Sequence, residues 1–255
     1  MTSVALLQNR LRQIATALEQ TGEVQALLGL GSAGLDSDRM DEYSDLDFFV
    51  IVMPGYKQKY IQDLFWLEQC GPIAFHYQNT VDGNKVLYAD GVFCEFAVFE
   101  PQELAGIPFA RGRLIWHSEG FDPAMCEPVS TQGRYQRSPD RDWHINEVLT
   151  NLYIGVCRFL RGEKLAAMKL IQQSAVAHIL DLMLLDQPAS AAVDPYAPER
   201  RIETHLPQLE SLLPDFCPGY AHSLQAAESL LAWLETNACP SIAMTQEIRR
   251  LIGNA

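Results

Sequence analysis

Asp45 and Asp47 stand two residues apart at the head of an apolar run, DLDFFVIVM, over 45–53. Alternate residues of a strand share a face, so the two carboxylates point the same way, about 7 Å apart along the strand. Two like charges on a stiff element are costly unless a cation sits between them. Hard oxygen ligands suit Mg²⁺, which takes one or two carboxylates and fills its other positions with water and phosphate. Upstream, Gly31 and Ser32 follow a second apolar run, VQALLGL, over 24–30. A glycine lets a phosphate approach the backbone, and the serine hydroxyl and local N–H groups can donate to it. Downstream, Glu95 is the only ionisable residue of VFCEFAVF. A carboxylate there needs a partner, and apolar surroundings disfavour its charged form, which suits a general base. Taken singly, these are solvated aspartates at a strand start, a turn, and an edge-strand glutamate. Taken together, with the Glu95 strand beside that of Asp45 and Asp47, they are three converging acids near a phosphate-binding turn.

Six acids (Asp36, Asp38, Asp41, Glu42, Asp45 and Asp47) fall within twelve residues, with Arg39 as the only base among them. The first four read as a solvated loop, with attraction of a cationic acceptor as the alternative.

The pattern Leu30-Gly31-Ser32, a twelve-residue gap, Asp45-Leu46-Asp47 and then an acid on a later strand resembles the nucleotidyltransferase superfamily that includes DNA polymerase beta. Within it the chain is most similar to antibiotic nucleotidyltransferases of the lincosamide type. Tyr43-Ser44-Asp45-Leu46-Asp47 matches their strand start, Cys94-Glu95-Phe96 a "GEF"-like strand, and Arg161-Gly162-Glu163 a helix ending "RGE". The order and spacing agree over about residues 26–185. The chain departs from the pattern in carrying Leu30 where an aromatic is frequent, and Gly34-Leu35 where a basic residue is.

The resemblance implies Mg²⁺-dependent transfer of AMP from ATP to a hydroxyl of a small acceptor, a lincosamide or aminoglycoside antibiotic among the candidates, with release of pyrophosphate. It implies Asp45 and Asp47 as metal ligands, Gly31 and Ser32 as anchors of the outer phosphates, and Glu95 as general base or further metal ligand. Basic residues of the helical half, here Arg158, Arg161 and Lys164, would reach the nucleotide; complementing a helix C-terminus is their plainer role. The acceptor would lie in a cleft between the halves, and a homodimer is compatible. A protein side-chain hydroxyl as acceptor, or a non-catalytic partner-binding protein of antitoxin or regulator type, are the alternatives. Retention of all three acids argues against the last.

The elements that must position these residues follow from periodicity. Helical spacing of Leu7, Leu11, Ile14 and Leu18 predicts a helix over 3–20. Strands are expected at 24–30 and 45–53, then a helix at 56–70. A hairpin from 72–79 to 85–89 follows, with strands at 92–100 and 113–118. A polar stretch with prolines, 126–140, reads as a linker. Beyond it, helices are expected at 141–161, 163–186, 199–213, 219–236 and 241–252. The fold class is therefore α+β, an α/β half followed by an all-helical half; the resemblance implies that these are a nucleotidyltransferase catalytic domain with a mixed sheet over 1–125 and an acceptor- and nucleotide-binding domain over 141–255.

Composition sets the outer bounds. The 255 residues suffice for one large domain or two small ones, and the net charge of −13 argues against nucleic acid as a partner. No apolar run reaches membrane-spanning length, so no membrane partner is expected. The amphipathic start, unlike a secretory leader, and six scattered cysteines without a CxxC pair suit reduced thiols in a cytoplasmic protein. The six histidines show no HExxH or similar ligand spacing and read as surface or satisfied core residues.

Overall fold

The computed structural model describes residues 3–35, 37–130, 132–187 and 194–253. Asp36 of the acidic loop lies outside the described residues, as do Thr131 of the expected linker and part of the QPASAAVDPYAP stretch. The chain forms two compact units, Met1–Arg134 and Tyr135–Ala255.

The first unit is built on a six-stranded mixed sheet. Its strands are β1 (Val24–Leu30), β2 (Leu46–Val52), β3 (Ile73–Gln78), β4 (Gly83–Tyr88), β5 (Phe93–Phe99) and β6 (Arg113–His117), in the order β3-β4-β5-β2-β1-β6. β2 and β5 pair in parallel, and the other pairings are antiparallel. Helix α1 (Val4–Thr21) is capped by the Ser3 hydroxyl and closed by left-handed Gly22. Its apolar face (Leu7, Leu11, Ile14, Leu18) packs with Leu27, Leu46, Phe48, Val50, Trp66 and Phe96 into the main core. The alternate residues of the same strands turn to the second face. There Ala26, Leu28, Ile51 and Phe99 meet Leu104, Phe109 and Phe121, with Phe49 edge-on to Phe99 and Phe109. One face of the sheet is thus covered over β1, β2, β4 and β5, while edge strand β3 is largely exposed. On the other, this smaller core lies over the end of β2 and β5 away from Asp47 and Glu95.

The single helix expected over 56–70 is two short ones, α2 (Lys57–Gln62) and α3 (Phe65–Glu68). Between them Asp63 is extended, and its carboxylate accepts from the Phe65 N–H, a local bond that competes with the helix.

The second unit is helical: α4 (Arg141–Leu160), α5 (Lys164–Met168), a π-helical stretch Lys169–Ala175, α6 (Val176–Leu185), α7 (Ile202–His205), α8 (Leu209–Phe216), α9 (Ser223–Asn237) and α10 (Ile242–Ile252). Its own core runs from Val148, Leu152 and Val156 through Ile171, Ile179 and Leu182 to Leu230, Leu234 and Ile248. The helix expected over 199–213 is broken because Pro207 lacks an N–H and forces Leu206 out of helical geometry (φ −129°, ψ 76°). Among the described residues no helix is long and apolar enough to cross a membrane.

Candidate active site

A single row of paired residues crosses five strands of the first unit. Tyr77 on β3 pairs with Lys85 on β4, Lys85 with Glu95 on β5, Glu95 with Asp47 on β2, and Asp47 with Leu30 on β1. Registered partners share a face, so the row lies on one side of the sheet, opposite the main core. Leu46 and Cys94, one position back on β2 and β5, face that core instead. There burial pushes the Cys94 thiol pKa up, with the Asp45 and Asp47 carboxylates adding to the effect.

Glu95 is held from two sides. Lys85 Nζ lies 3.0 Å from its Oε2, and the Asn79 side-chain amide donates to its Oε1 at 2.9 Å. Its side chain is 41% exposed, not sunk among apolar residues as its strand suggests. The reason is the face: Glu95 alternates with the core residues Cys94 and Phe96, and points to the uncovered end of the sheet. The hydrogen bond and charge of Glu95, with Asp47 nearby, push the Lys85 pKa above its ordinary value, so the cation persists across the physiological range.

The turn after β1 is shaped by its glycines. Gly31 sits in the left-handed region (φ 50°), opening a 3₁₀ turn over Gly31–Ala33. A Cβ on Gly31 would rest 3.5 Å from Asp47 Oδ2, which places that carboxylate against the turn. Gly29 and Gly34 are needed for close approach: a Cβ on either would meet backbone oxygen at 2.4 or 2.6 Å. The Ser32 hydroxyl donates to the Asp45 carbonyl at 3.4 Å, tying the turn to the residue just before β2. Asp45 is half-buried, as is Asp47. The acidic loop is braced by Asp41, whose carboxylate accepts from the Tyr43 N–H and the Ser44 hydroxyl.

Residues that sequence reasoning did not single out complete the site. Arg113, at the head of β6, donates to the carbonyls of Gly34 (3.1 Å) and Ala33 (3.3 Å). An edge strand thus brings a basic residue to the turn that follows β1. Lys85 and Asn79 were not singled out either, although the Asp90-Gly91 turn between β4 and β5 is a local signal that the two strands pair and that Lys85 comes opposite Glu95. Phe75 and Tyr77, ring centroids 5.7 Å apart and both about half exposed, stand on edge strand β3 beside this row.

Asp45, Asp47, Gly31, Ser32 and Glu95 are therefore neighbours in the first unit. Arg158, Arg161 and Lys164 belong to the second, where each has a local setting. Arg158 pairs with Glu163 at 2.6 Å, Arg161 caps α4, and Lys164 lies 5.2 Å over the Phe159 ring. Gly162 adopts φ 82°, and the N–H groups of Gly162 and Glu163 return to the carbonyls of Phe159 and Arg158. The Arg161-Gly162-Glu163 stretch is in this geometry a helix terminus.

The chemistry of the donors bears on a divalent ion. Asp45 and Asp47 offer hard oxygens next to a turn with N–H and hydroxyl donors, which suits Mg²⁺ and a phosphate together. Glu95 suits it less, because both its oxygens already accept hydrogen bonds.

No family model matches the chain, and no curated protein matches it in sequence. Among solved structures, the chain is similar to the crystal structure of an aminoglycoside 6-adenyltransferase from Bacillus subtilis, at 13% identity and a TM-score of 0.35, over 99% of this chain and 92% of that one.

Proposed function

We propose that the chain is a nucleotidyltransferase that moves AMP from ATP to a hydroxyl of a small acceptor and releases pyrophosphate. The observation that carries the reading is the Gly31–Ser32 turn seated against Asp47 and tied to Asp45, with Glu95 beside Asp47 in register. The sequence resemblance supports it through the same residues.

Asp45 and Asp47 would hold Mg²⁺, which when bound offsets the charge that develops on the triphosphate oxygens. The Gly31–Ala33 turn would receive the outer phosphates, its donors held in place by the Arg113 bonds to the carbonyls behind it. The acceptor oxygen attacks the α-phosphorus, the bond to the β-phosphate oxygen breaks, and pyrophosphate leaves. Glu95 would take the acceptor's proton. Each of its oxygens keeps a free lone-pair direction beyond the bonds from Lys85 and Asn79. Lys85 then has two roles, balancing Glu95 in the resting state and drawing an anionic group toward the row. Arg158, Arg161 and Lys164 would add positive charge toward the nucleotide once Arg158 leaves Glu163.

The acceptor classes to offer first are lincosamides and aminoglycosides. The test is Mg²⁺-dependent pyrophosphate release from ATP with each acceptor singly, using an Asp45→Ala, Asp47→Ala double variant as the blank. Release with one acceptor and not in the blank is the expected result. Equal release in the blank, or failure of the intact chain to bind Mg²⁺–ATP, overturns the reading. Binding of ATP without release for any small acceptor moves the acceptor to a protein hydroxyl.

A further inference from the structure

The second unit contains a polar cluster that the proposed reaction does not use. His144 lies in the first turn of α4, and His178 and Asp181 lie three apart on α6. His144 and Asp181 are buried (1% and 5% exposed side chains), and His178 is 20% exposed. One ligand atom from each lies within 4.8 Å of the others. Among the described residues no other group of His, Cys, Asp and Glu is reported at that spacing.

Hydrogen-bond logic assigns the lone pairs. His144 Nε2 is 3.0 Å from the Ser138 carbonyl, which only accepts, so Nε2 carries the hydrogen and Nδ1 the lone pair. His178 Nε2 faces the Glu147 carboxylate at 3.9 Å, which favours a hydrogen on that nitrogen as well. His178 Nδ1 is then a second lone pair, and it lies 3.1 Å from His144 Nδ1. Asp181 Oδ2 is 3.8 Å from the same His144 nitrogen. Two lone pairs and a buried carboxylate oxygen facing one point repel one another unless a cation fills it.

The geometry points to a zinc-class divalent ion held by His144 Nδ1, His178 Nδ1 and Asp181 Oδ2. Imidazole nitrogens with one carboxylate suit such an ion, whereas Mg²⁺ prefers oxygen alone. At zinc bond lengths near 2.0–2.2 Å, tetrahedral ligands stand about 3.3–3.6 Å apart, so the two separations from His144 Nδ1, 3.1 Å to His178 Nδ1 and 3.8 Å to Asp181 Oδ2, bracket that spacing. The outer contacts match what oriented ligands require. Ser138 fixes one imidazole, and Arg137 Nε bonds Asp181 Oδ1 at 2.9 Å and orients the side chain. Tyr135 Oη donates to Asp181 Oδ2 and stands ready as a neighbour or fourth ligand. Trp143 lies edge-on to both imidazoles at 4.9 and 5.1 Å and walls the cluster. The ion would pin the 135–138 segment to α4 and α6.

The full chain, stripped with chelator and dialysed, is to be titrated with Zn²⁺ and, separately, with Co²⁺. Expected are one tightly bound zinc per chain, a raised unfolding midpoint, and a visible d–d band with Co²⁺. His178→Asn and Asp181→Asn should each weaken binding at least tenfold, while Asp45→Asn with Asp47→Asn should retain both the zinc and the band. His178 is the least buried of the three, so its variant tests the site with the fold kept, as circular dichroism verifies. No saturable zinc binding, or binding unchanged in the His178 and Asp181 variants, overturns the site and leaves a proton shared between the two imidazoles as what fills the gap.

Discussion

Asp47 and Glu95 stand side by side across the only parallel pairing found among the sheet's described strands. Lys85 flanks Glu95 on its other side, so an anion, an anion and a cation follow one another on one face of the sheet. Like charges on neighbouring strands are unfavourable, and the lysine offsets only part of that. Under the proposed reaction the aspartate would face the divalent ion, the glutamate the acceptor's proton and the lysine an anionic group, whereas on a purely structural surface two adjoining acids bring only repulsion.

Glu95→Gln keeps the size and the ability to bond Asn79 but cannot take a proton. ATP binding should stay within about threefold of the parent, while turnover falls about 10²–10⁴-fold. Equilibrium binding and pyrophosphate release on the same preparation separate the two. Near-normal turnover would remove Glu95 from the role of base.

Arg113→Ala removes the two bonds that hold the carbonyls of Ala33 and Gly34. Arg113 is exposed, so the unfolding midpoint should barely move. The KM for ATP should rise at least about tenfold through loss of loop order, while Arg113→Lys should recover only part because the bidentate fork is gone. A KM unchanged in both variants would separate the turn from nucleotide binding.

Gly155 tests the helical unit. A Cβ there would come within 2.5 Å of Ile171 Cγ1 on the π-helical stretch. Alanine gains about 1 kcal/mol in helix propensity, but overpacking costs about 1–3 kcal/mol. Gly155→Ala should therefore be net destabilising in urea melts. A more stable variant would mean that α4 and the π-helical stretch separate readily.

Five of the six cysteines should sort plainly by reactivity toward a thiol reagent. Cys239 is exposed and should react first; Cys217 should follow, its pKa raised by burial. Burial pushes Cys70 and Cys126 up to about 11, and they should react only on unfolding, as should buried Cys94. Labelling followed by peptide mapping reads the order directly.

Alkali gives a prediction with a definite sign. Burial, and the hydrogen bond to Glu23, push the Tyr60 pKa up to about 12. The unfolded chain ionises this group near 10, so it binds fewer protons than the native state between these values. Stability should fall as pH rises from 10 to 12. Tyr60→Phe should flatten that part of the profile, measured as urea midpoints against pH. An unchanged slope would place the alkaline loss in other groups.

The strands and the turn that carry the acids were legible because their signals are local. Alternation in Asp45-Leu46-Asp47-Phe48 puts the acids on one face, and Gly31-Ser32 after an apolar run marks a turn. The mixed sheet followed by helices also emerged from periodicity. What sequence did not yield is who stands beside whom. Glu95 comes beside Asp47 because β5 pairs in parallel with β2, forty-eight positions away, whereas Lys85 reaches Glu95 across the local β4–β5 hairpin. His144 and His178, thirty-four positions apart, meet only because α4 packs on α6. Local chemistry also overrode period twice, at Asp63 and at Pro207, each time dividing one expected helix in two. The Arg161-Gly162-Glu163 stretch, which resembles a family signature, is accounted for here by helix termination.

The parallel pairing of β2 with β5 also sets an order of assembly. Leu30 and Asp47 are seventeen positions apart and joined by an antiparallel hairpin, whereas Asp47 and Glu95 are forty-eight apart. Closing the longer loop costs about 1 kcal/mol more in chain entropy, and α2, α3 and the β3–β4 hairpin all lie within it. Lys85 and Glu95, only ten positions apart on the β4–β5 hairpin, belong to a second local unit. A refolding chain should form these two local units first and join them last through the β2–β5 pairing, so the complete row trails the recovery of most secondary structure.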